Sequence, residues 1–318
     1  IKGEQMLIGF KPFARISKII RHHHIKYNQI ISGIVDEKDI PIESYFICLA
    51  DRIDVLLMKF EHDSDKYEKV ILDINSRFGE VFAPFLYETF QKVSASSEFW
   101  NNINFNSFQD LLFLSLDNNT YDACNSDIED LAIVFAKIID YRSPWTTMHS
   151  QTVAKVAYSL ATMMKLPEED CFNIKIGGYL HDIGKIAIPT ELLDKSGKLT
   201  ENEFEIIKNH VVYTALILSP IKELEDIVDL AANHHEKHDQ SGYPLKMKAE
   251  KLTVQMDVLA FADIFTALSE DRPFRKHLDP EEMKSTLATF TPEKLSEHVY
   301  NIIIANFDEL LRLTKKDI

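Results

Sequence analysis

Apolar residues recur at three- and four-residue steps over most of the chain, which is the spacing of a helix with one buried face. The segment 127–141 follows this spacing, and so do the segments 153–164 and 295–314. A sustained alternation of apolar and polar residues, typical of strands, occurs nowhere in the sequence. The chain also has only nine glycines. The pattern therefore predicts an all-α protein.

The length of the chain predicts two domains. The sequence has 318 residues, which is more than a single compact core usually holds. The segment 117–127 is polar, rich in turn-forming residues, and directly precedes a strong helical pattern. We therefore place a boundary near residue 122, with an N-terminal helical domain at 1–122 and a second domain at 123–318.

Composition limits the cellular compartments and the classes of binding partner that the protein can have. A formal charge of −15 argues against binding to a nucleic acid polymer, which needs a basic surface. No apolar run approaches the 18 to 20 residues of a membrane span, and the first residues lack a signal-peptide pattern. Three widely separated cysteines, an odd number, indicate a reducing compartment. We predict a cytoplasmic protein without a membrane segment.

Histidines and acidic residues stand inside the helical pattern of the second domain at wide, irregular intervals. The close pairs of Cys and His that form a structural zinc finger are absent. Single ligands from several helices instead indicate a di-metal site in a helical bundle, and imidazole with carboxylate suits iron or manganese. The candidate ligands are His149, His181, Asp182, His210, His234, His235 and Asp263.

The adjacent pair of His181 and Asp182 predicts the chemistry. The Asp182 carboxylate can give one oxygen to each of two cations, whereas an imidazole binds only one. Two metals so bridged lower the pKa of a bound water and stabilise the leaving oxygen of a phosphate ester. Lys185 follows Asp182 by three residues, so we expect it on the same helix face, where it can donate to a phosphate oxygen. We predict Asp182 and Lys185 as catalytic residues.

These residues lie in motifs that resemble the HD-GYP group of the HD phosphohydrolases. The motifs are "HDIGKIAIP" (181–189), "HHEKHDQSGYP" (234–244) and "FADIFTALSEDRPFR" (261–275), and the resemblance covers roughly residues 125–290. It implies a helical HD-domain bundle that binds iron or manganese through the seven candidate ligands and hydrolyses cyclic di-GMP by means of a metal-activated water. It also implies that Asp182 bridges the metals and that substrate is held by Lys185, Gly242, Tyr243, Arg272 and Arg275.

Three positions depart from the family pattern. Members with three metals have Glu four residues before the first His, where this chain has Trp145, so we expect two divalent ions per chain. Gln240 replaces a Gly of the usual "HHExxDGxGYP", and Gly favours a positive φ that Gln adopts less readily. His238 replaces a residue that is commonly aromatic, which predicts a more polar pocket wall.

Two alternatives to the cyclic di-GMP phosphodiesterase stay open. One is a catalytically weak HD-GYP module that binds cyclic di-GMP, or a partner with a GGDEF domain, as a sensor or scaffold. The other is a phosphohydrolase of a different nucleotide, because metal ligands do not specify a base. The role of Glu236 is also open, either as an acceptor from a ligand imidazole or as an exposed helix charge.

The first domain contains a spacing of His and Asp residues that is similar to one in the second domain. The distance from His23 to Asp51 is the same 28 residues as that from His235 to Asp263, and His22 precedes His23 as His234 precedes His235. This spacing suggests a degenerate half of an HD repeat with a regulatory or partner-binding role. The first domain has no His-Asp pair, so we expect no di-metal site there.

Overall fold

The computed structural model describes residues 2–103, 122–143, 148–271 and 275–315. The chain divides into two compact units, Ile1–Ala123 and Cys124–Ile318. The described residues form helices and no strand, apart from one isolated bridge between Phe78 and Phe82. The all-α prediction is therefore confirmed, whereas the functions assigned to the two domains stay predictions. No helix in the described ranges is both long and apolar enough to cross a membrane.

The first unit packs its helices around an aromatic and aliphatic core. Residues at its centre include Leu56, Ile74, Phe82 and Phe90, each almost fully buried. Among the described residues its helices are α1 (Lys2–Leu7), α2 (Ala14–His22), α3 (Tyr27–Ile31), α4 (Ile42–Lys59), α5 (Lys66–Asn75), α6 (Tyr87–Ser94) and α7 (Ser97–Ile103).

The second unit is a larger helical bundle. In its described part the helices are α8 (Asn125–Asp140), α9 (His149–Met163), α10 (Glu168–Leu180), α11 (Thr190–Leu193), α12 (Glu201–Lys208), α13 (His210–Leu218), α14 (Glu225–Asn233), α15 (Val254–Ser269), α16 (Pro280–Ala288), α17 (Glu297–Ala305) and α18 (Phe307–Leu313).

Helix α9 lies at the centre of this bundle and packs against both α10 and α15. Small residues let the backbones approach closely: a Cβ atom added to Gly178 of α10 would lie 2.6 Å from the Cα atom of Ala154 of α9. Apolar residues on both sides of α9 are buried, because its neighbours surround it. The predicted ligands His149, His181 and Asp263 are carried by, or directly follow, these three central helices.

Two details of the sequence pattern differ from the structure. The segment 117–127 was predicted as a linker, but helix α8 already begins at Asn125, where the Asp127 carboxylate accepts a hydrogen bond from the Cys124 backbone N–H (3.0 Å). The apolar pattern at 295–314 is split at Asn306, which separates α17 from α18 and donates its side-chain amide to the Ile302 carbonyl (2.8 Å). Periodicity alone does not reveal either local hydrogen bond.

Candidate metal centre

The motif of His181 and Asp182 occupies a turn, not the middle of a helix. Helix α10 ends at Leu180, and a 3₁₀ turn at Ile183–Ala187 follows the pair. Gly184 permits this turn to pack against α13, because a Cβ atom there would lie 1.9 Å from the His210 carbonyl oxygen. The Gly184 N–H donates to the Thr214 hydroxyl across this contact (3.0 Å). The expectation that Asp182 and Lys185 lie on one face of a continuous α-helix is therefore wrong, although the 3₁₀ turn still brings Lys185 to Asp182.

Three histidines are held in the same way by their own backbone. The Nδ1 atom of His181 lies 2.9 Å from the Gly178 carbonyl, that of His210 lies 2.7 Å from the Ile207 carbonyl, and that of His234 lies 2.7 Å from the Ala231 carbonyl. A carbonyl oxygen only accepts, so Nδ1 carries the proton in each neutral ring and Nε2 presents a lone pair.

The Nε2 atoms of these three histidines are buried and make no hydrogen bond with any described residue. A buried polar atom without a partner costs free energy, and such atoms are rare in native structures. Three of them gathered in one place are explained most simply by a cation that accepts their lone pairs. The donor set therefore fits a bound metal.

Two carboxylates complete the cluster. The two oxygens of Asp182 face different histidines: Oδ2 lies 3.2 Å from His181 Nε2, and Oδ1 lies 3.5 Å from His210 Nε2. The Oδ1 atom of Asp263 lies 3.2 Å from His149 Nε2 and 3.9 Å from His181 Nε2. Asp182 is thus placed between two imidazoles, as a bridging carboxylate requires.

All seven predicted ligands meet in overlapping groups. Within the described ranges, three sets of His and Asp residues have ligand atoms within 4.8 Å of one another: His210 with His234 and His235; His149 with His181 and Asp182; and His181 with His234 and Asp263. The sets share members, as expected for two neighbouring cations. Their assignment as metal ligands remains a prediction that this geometry supports.

Burial keeps the histidines ready to coordinate. Burial lowers the pKa of His210 to about 4 and that of His235 to about 3, and it holds the pKa of His234 well below the ordinary value. Burial alone would raise the pKa of Asp182, but the positive charge that His181 carries when it is protonated, and that of the Lys185 ammonium, hold it well below its usual range. Neutral imidazoles beside ionised carboxylates are the ligands that iron, manganese and zinc accept.

Lys185 stands at the edge of the cluster. Its Nζ atom lies 2.5 Å from Asp182 Oδ2, and its side chain is partly exposed. The ammonium group is therefore fixed beside the carboxylate while it remains accessible to a ligand that enters the site.

Asp140 and Glu270 support His149, and sequence reasoning missed both. At the end of α8, the buried Asp140 carboxylate accepts from the Ser150 N–H (3.1 Å) and hydroxyl (2.7 Å), which fixes the start of α9. The Glu270 carboxylate lies 2.9 Å from His149 Nδ1. A carboxylate on the second ring nitrogen orients a ligand imidazole and makes it a better donor. Glu270 follows Asp263 by seven residues, about two helical turns, so the helical period indicates that it lies on the side of Asp263 but does not indicate its contact with His149.

Glu270→Gln is expected to weaken metal binding. The amide keeps the size of the side chain but loses the charge that orients the His149 ring. Loss of such a supporting group typically lowers metal affinity by about 10- to 100-fold, and competition with a chromogenic chelator measures this change. Glu250→Gln, at an exposed position, is the matched control. Equal affinities of Glu270→Gln and the wild type would show that the contact does not support the ligand.

The loop after His235 is held by Glu236, in a way that neither sequence hypothesis anticipated. Glu236 is buried, and its carboxylate accepts from the backbone N–H groups of Leu245 (2.5 Å) and Met247 (2.8 Å). It is neither an exposed helix charge nor an acceptor from an imidazole. A Cβ atom on Gly242 would lie 2.5 Å from the His235 carbonyl, so only Gly allows the loop to fold back this closely.

Two departures from the family pattern are accommodated locally. Gln240 adopts φ +61°, the left-handed conformation that Gly favours, so the substitution preserves the backbone path at that position. His238 does not make the pocket wall polar. Its Nε2 atom lies 3.0 Å from both oxygens of the buried Asp257, and its backbone N–H donates to the Lys294 carbonyl (2.9 Å). The His238 ring therefore ties the loop to α15.

The predicted substrate contacts are only partly described. Tyr243 lies beside the cluster, with its ring centroid 4.7 Å from that of His235. The Arg275 guanidinium donates to the Ala267 carbonyl (2.7 Å) near the end of α15, so its contact with phosphate or guanine stays a prediction. Arg272 and Trp145 lie outside the described residues, and the role given to each is untested.

The histidines of the first unit do not assemble in this way. His22 Nδ1 faces the Lys18 carbonyl (2.8 Å), His23 Nδ1 faces the Ile20 carbonyl (2.6 Å), and Asp51 is exposed. In the described part of this unit no His, Cys, Asp or Glu residues form a group with metal-binding geometry. The origin of the first unit in half of an HD repeat stays a prediction.

The buried histidines predict how the stability of the metal-free protein depends on pH. The pKa of His210 falls from 6.5 to about 4 on folding, so the unfolded chain binds this proton more tightly. The neutral His210 ring therefore contributes to the free energy of unfolding above pH 6.5. This contribution, about 3 kcal/mol in total, is lost as the pH falls from 6.5 toward 4. Urea unfolding in the presence of a chelator, at several pH values, measures how steeply the free energy of unfolding depends on pH.

This pH dependence should be shallower in His210→Gln and unchanged in His62→Gln, which alters an exposed histidine. Equal pH dependences of the wild type and His210→Gln would contradict the assignment.

Comparison with known proteins identifies the relatives of the chain. An HD domain family model matches residues 133–289. The 3′3′-cGAMP-specific phosphodiesterase 1 of Vibrio cholerae is 26% identical over 99% of this chain and 75% of its own length. A cyclic di-GMP phosphodiesterase of Pseudomonas aeruginosa is 32% identical over 53% of this chain and 42% of its own length.

A solved structure agrees with the fold. A crystal structure of a cyclic GMP-AMP specific phosphodiesterase of Vibrio cholerae superposes with a TM-score of 0.61 at 23% identity, covering 96% of this chain and 70% of that one. At this identity the likeness establishes the fold. The helical architecture, the matched HD domain and the relatives agree with the motifs. Residues 133–289 belong to the HD domain family, and the relatives reported above are named as phosphodiesterases of cyclic dinucleotides.

Proposed function

We propose that the second unit hydrolyses a phosphodiester bond of a 3′3′-cyclic dinucleotide with two divalent metal ions, iron or manganese. The observation that carries the proposal is the trio of buried Nε2 atoms on His181, His210 and His234, two of which, on His181 and His210, face the two oxygens of Asp182. Bound in pairs, divalent metals supply an activated water and neutralise the charge of a phosphate. The net reaction adds water at phosphorus, breaks one bond to a ribose oxygen and returns a proton to that oxygen.

The protein groups around the metals have separate tasks in this proposal. Lys185 Nζ, fixed by Asp182, donates to a phosphate oxygen and offsets the charge that develops on it. Burial raises the pKa of the Tyr243 phenol, so the hydroxyl stays protonated and can donate a hydrogen bond. Glu270 holds the His149 ring, and Glu236 holds the loop that carries Tyr243. These contacts hold Lys185, Tyr243 and His149 in position already in the absence of substrate.

The identity of the dinucleotide is the finer part of the proposal. The resemblance of the motifs predicts cyclic di-GMP, whereas the relative aligned along nearly the whole chain is named for 3′3′-cGAMP. We propose 3′3′-cGAMP as the preferred substrate and cyclic di-GMP as the second. The backbone conformation of Gln240 supports an enzyme over a weak scaffold, because this substitution keeps the loop in the conformation typical of Gly.

A substrate panel tests the proposal. Protein reconstituted anaerobically with iron or manganese is assayed with 3′3′-cGAMP, cyclic di-GMP and bis(p-nitrophenyl) phosphate, which has no base. We expect kcat/KM for a cyclic dinucleotide to exceed that for the base-free ester by at least about 100-fold, because binding energy from the bases lowers the barrier. Hydrolysis of the base-free ester alone would favour another phosphoester. Tight dinucleotide binding without turnover would favour the scaffold.

A further inference from the structure

An aromatic residue and a lysine of helix α12 stand next to the loop that carries Tyr243. Phe204 and Lys208 are four residues apart, one turn of α12, so their side chains lie on the same face. The Phe204 ring meets the Tyr243 ring edge to face, with centroids 6.4 Å apart at 81°. The Lys208 ammonium lies 4.8 Å from the Phe204 centroid and 5.5 Å from that of Tyr243.

Tyr243 connects the candidate metal centre to Phe204 through a series of neighbouring rings. The Tyr243 ring lies 4.7 Å from the His235 ring and 6.5 Å from the His210 ring, so it contacts the cluster on one side and Phe204 on the other. The series runs from the buried His210 imidazole and the half-buried His235 imidazole, through the partly buried Tyr243 phenol, to the Phe204 phenyl ring, which is 44% exposed. A substrate with its phosphate at the cluster would extend over this surface.

The chemistry of the surface matches one part of a dinucleotide. Every nucleobase has a π-face that stacks on an aromatic side chain, whatever its hydrogen-bonding pattern. A lysine is a mobile point charge suited to a phosphate oxygen or a base carbonyl. Lys208 is held by its contacts with both rings and by Glu205, whose Oε1 atom lies 2.6 Å away. An exposed phenyl ring and a cation beside a phosphodiesterase centre therefore form the elements of a base subsite.

We propose that Phe204 and Lys208 form a subsite for one purine base and its neighbouring phosphate, and that this subsite makes the centre act on cyclic dinucleotides in preference to simple phosphodiesters. The inference rests on the proposed function, because it assigns part of the same substrate. It adds two residues that the sequence motifs do not single out. Phe204 stacks against the base, and Lys208 contacts the phosphate or a base oxygen.

Matched variants of α12 test the subsite in the metal-loaded full chain. Phe204→Ala removes the ring, Phe204→Trp keeps a stacking surface, and Ile206→Ala removes a side chain that is 42% exposed on a different face of the same helix. We expect Phe204→Ala to raise Kd and KM for 3′3′-cGAMP about ten-fold, with Phe204→Trp close to wild type and Ile206→Ala unchanged. The ratio of kcat/KM for 3′3′-cGAMP to that for bis(p-nitrophenyl) phosphate should fall by a similar factor. Lys208→Met should lower the same ratio of kcat/KM values about five-fold, and Lys208→Arg should restore the ratio of the wild type.

The outcomes separate this inference from the proposed function. If wild-type protein cleaves 3′3′-cGAMP and Phe204→Ala matches it in Kd and KM, the subsite is wrong and the proposed function stands. An equal loss of activity toward both substrates would also overturn the subsite, since it would show that Phe204 does not distinguish a nucleobase from the nitrophenyl ring of the ester. If wild-type protein neither binds nor cleaves a cyclic dinucleotide, the proposed function fails and the subsite fails with it. Thermal melts of all variants check that they remain folded.

Discussion

Asp182→Asn is expected to reduce kcat for cyclic-dinucleotide hydrolysis by at least about 1000-fold, the largest effect of any single substitution in the site. The two carboxylate oxygens face His181 and His210 from positions 3.2 and 3.5 Å away. Asparagine keeps the shape but offers a single neutral oxygen, so it cannot serve two cations. A loss of several kcal/mol of metal-supplied stabilisation corresponds to this factor. Metal content by mass spectrometry and steady-state kinetics measure the two consequences.

The control for this variant is Asp229→Asn, which changes an exposed carboxylate on α14. It should retain the metal content and the kcat of the wild type. Near-normal turnover of Asp182→Asn, with a full complement of metal, would show that Asp182 does not bridge. Loss of activity in both variants would point to a general effect of the charge change.

Gly184→Ala is expected to detach helix α13 from the turn that carries the metal ligands. A Cβ atom at Gly184 would lie 1.9 Å from the His210 carbonyl and 2.5 Å from the Thr214 backbone nitrogen. Neither is the end of a flexible side chain, so the backbone must move. We expect a loss of stability at the upper end of the about 1–3 kcal/mol typical of overpacked cores, together with at least a ten-fold loss of metal affinity as His210 moves away.

Gly197→Ala is the matched control, because an added Cβ atom there meets nothing within 4 Å. Chemical unfolding measures the stability change, and chelator competition measures the affinity. A Gly184→Ala variant with the stability and metal affinity of the wild type would contradict the close packing of the turn against α13.

The fold class and the site's members could be predicted because their signals are local. Helical periodicity and few glycines indicate the bundle, and the motifs fix the order of His149, His181, His210 and the ligands that follow. The structure brings these residues together although their sequence intervals are irregular, because α9, α10 and α15 pack at the centre of one bundle. Their roles as ligands are still to be measured.

The supporting contacts could not be predicted, because they depend on how distant segments meet. Glu270 reaches a histidine 121 positions away, and Asp257 of α15 reaches His238 in the loop after α14. Glu236 was predicted to be either an acceptor from a ligand imidazole or an exposed helix charge, but the chain folds back so that two backbone N–H groups reach its carboxylate. Gln240 seemed unfavourable by residue type, yet the loop adopts the positive φ. In each case the tertiary structure, not the local sequence, decides the role of the residue.

In the proposed function, the cluster binds metal and uses it to open a cyclic dinucleotide. The most direct measurement loads the full chain anaerobically with iron or manganese, determines the metal content, and follows 3′3′-cGAMP and cyclic di-GMP by chromatography with the same sample. We expect about two metal ions per chain, because the two oxygens of Asp182 face different histidines and can serve two cations. We also expect a linear dinucleotide product that disappears when a chelator removes the metal. Two bound metals with no cleavage of either dinucleotide, or cleavage that persists without metal, would contradict the proposed function.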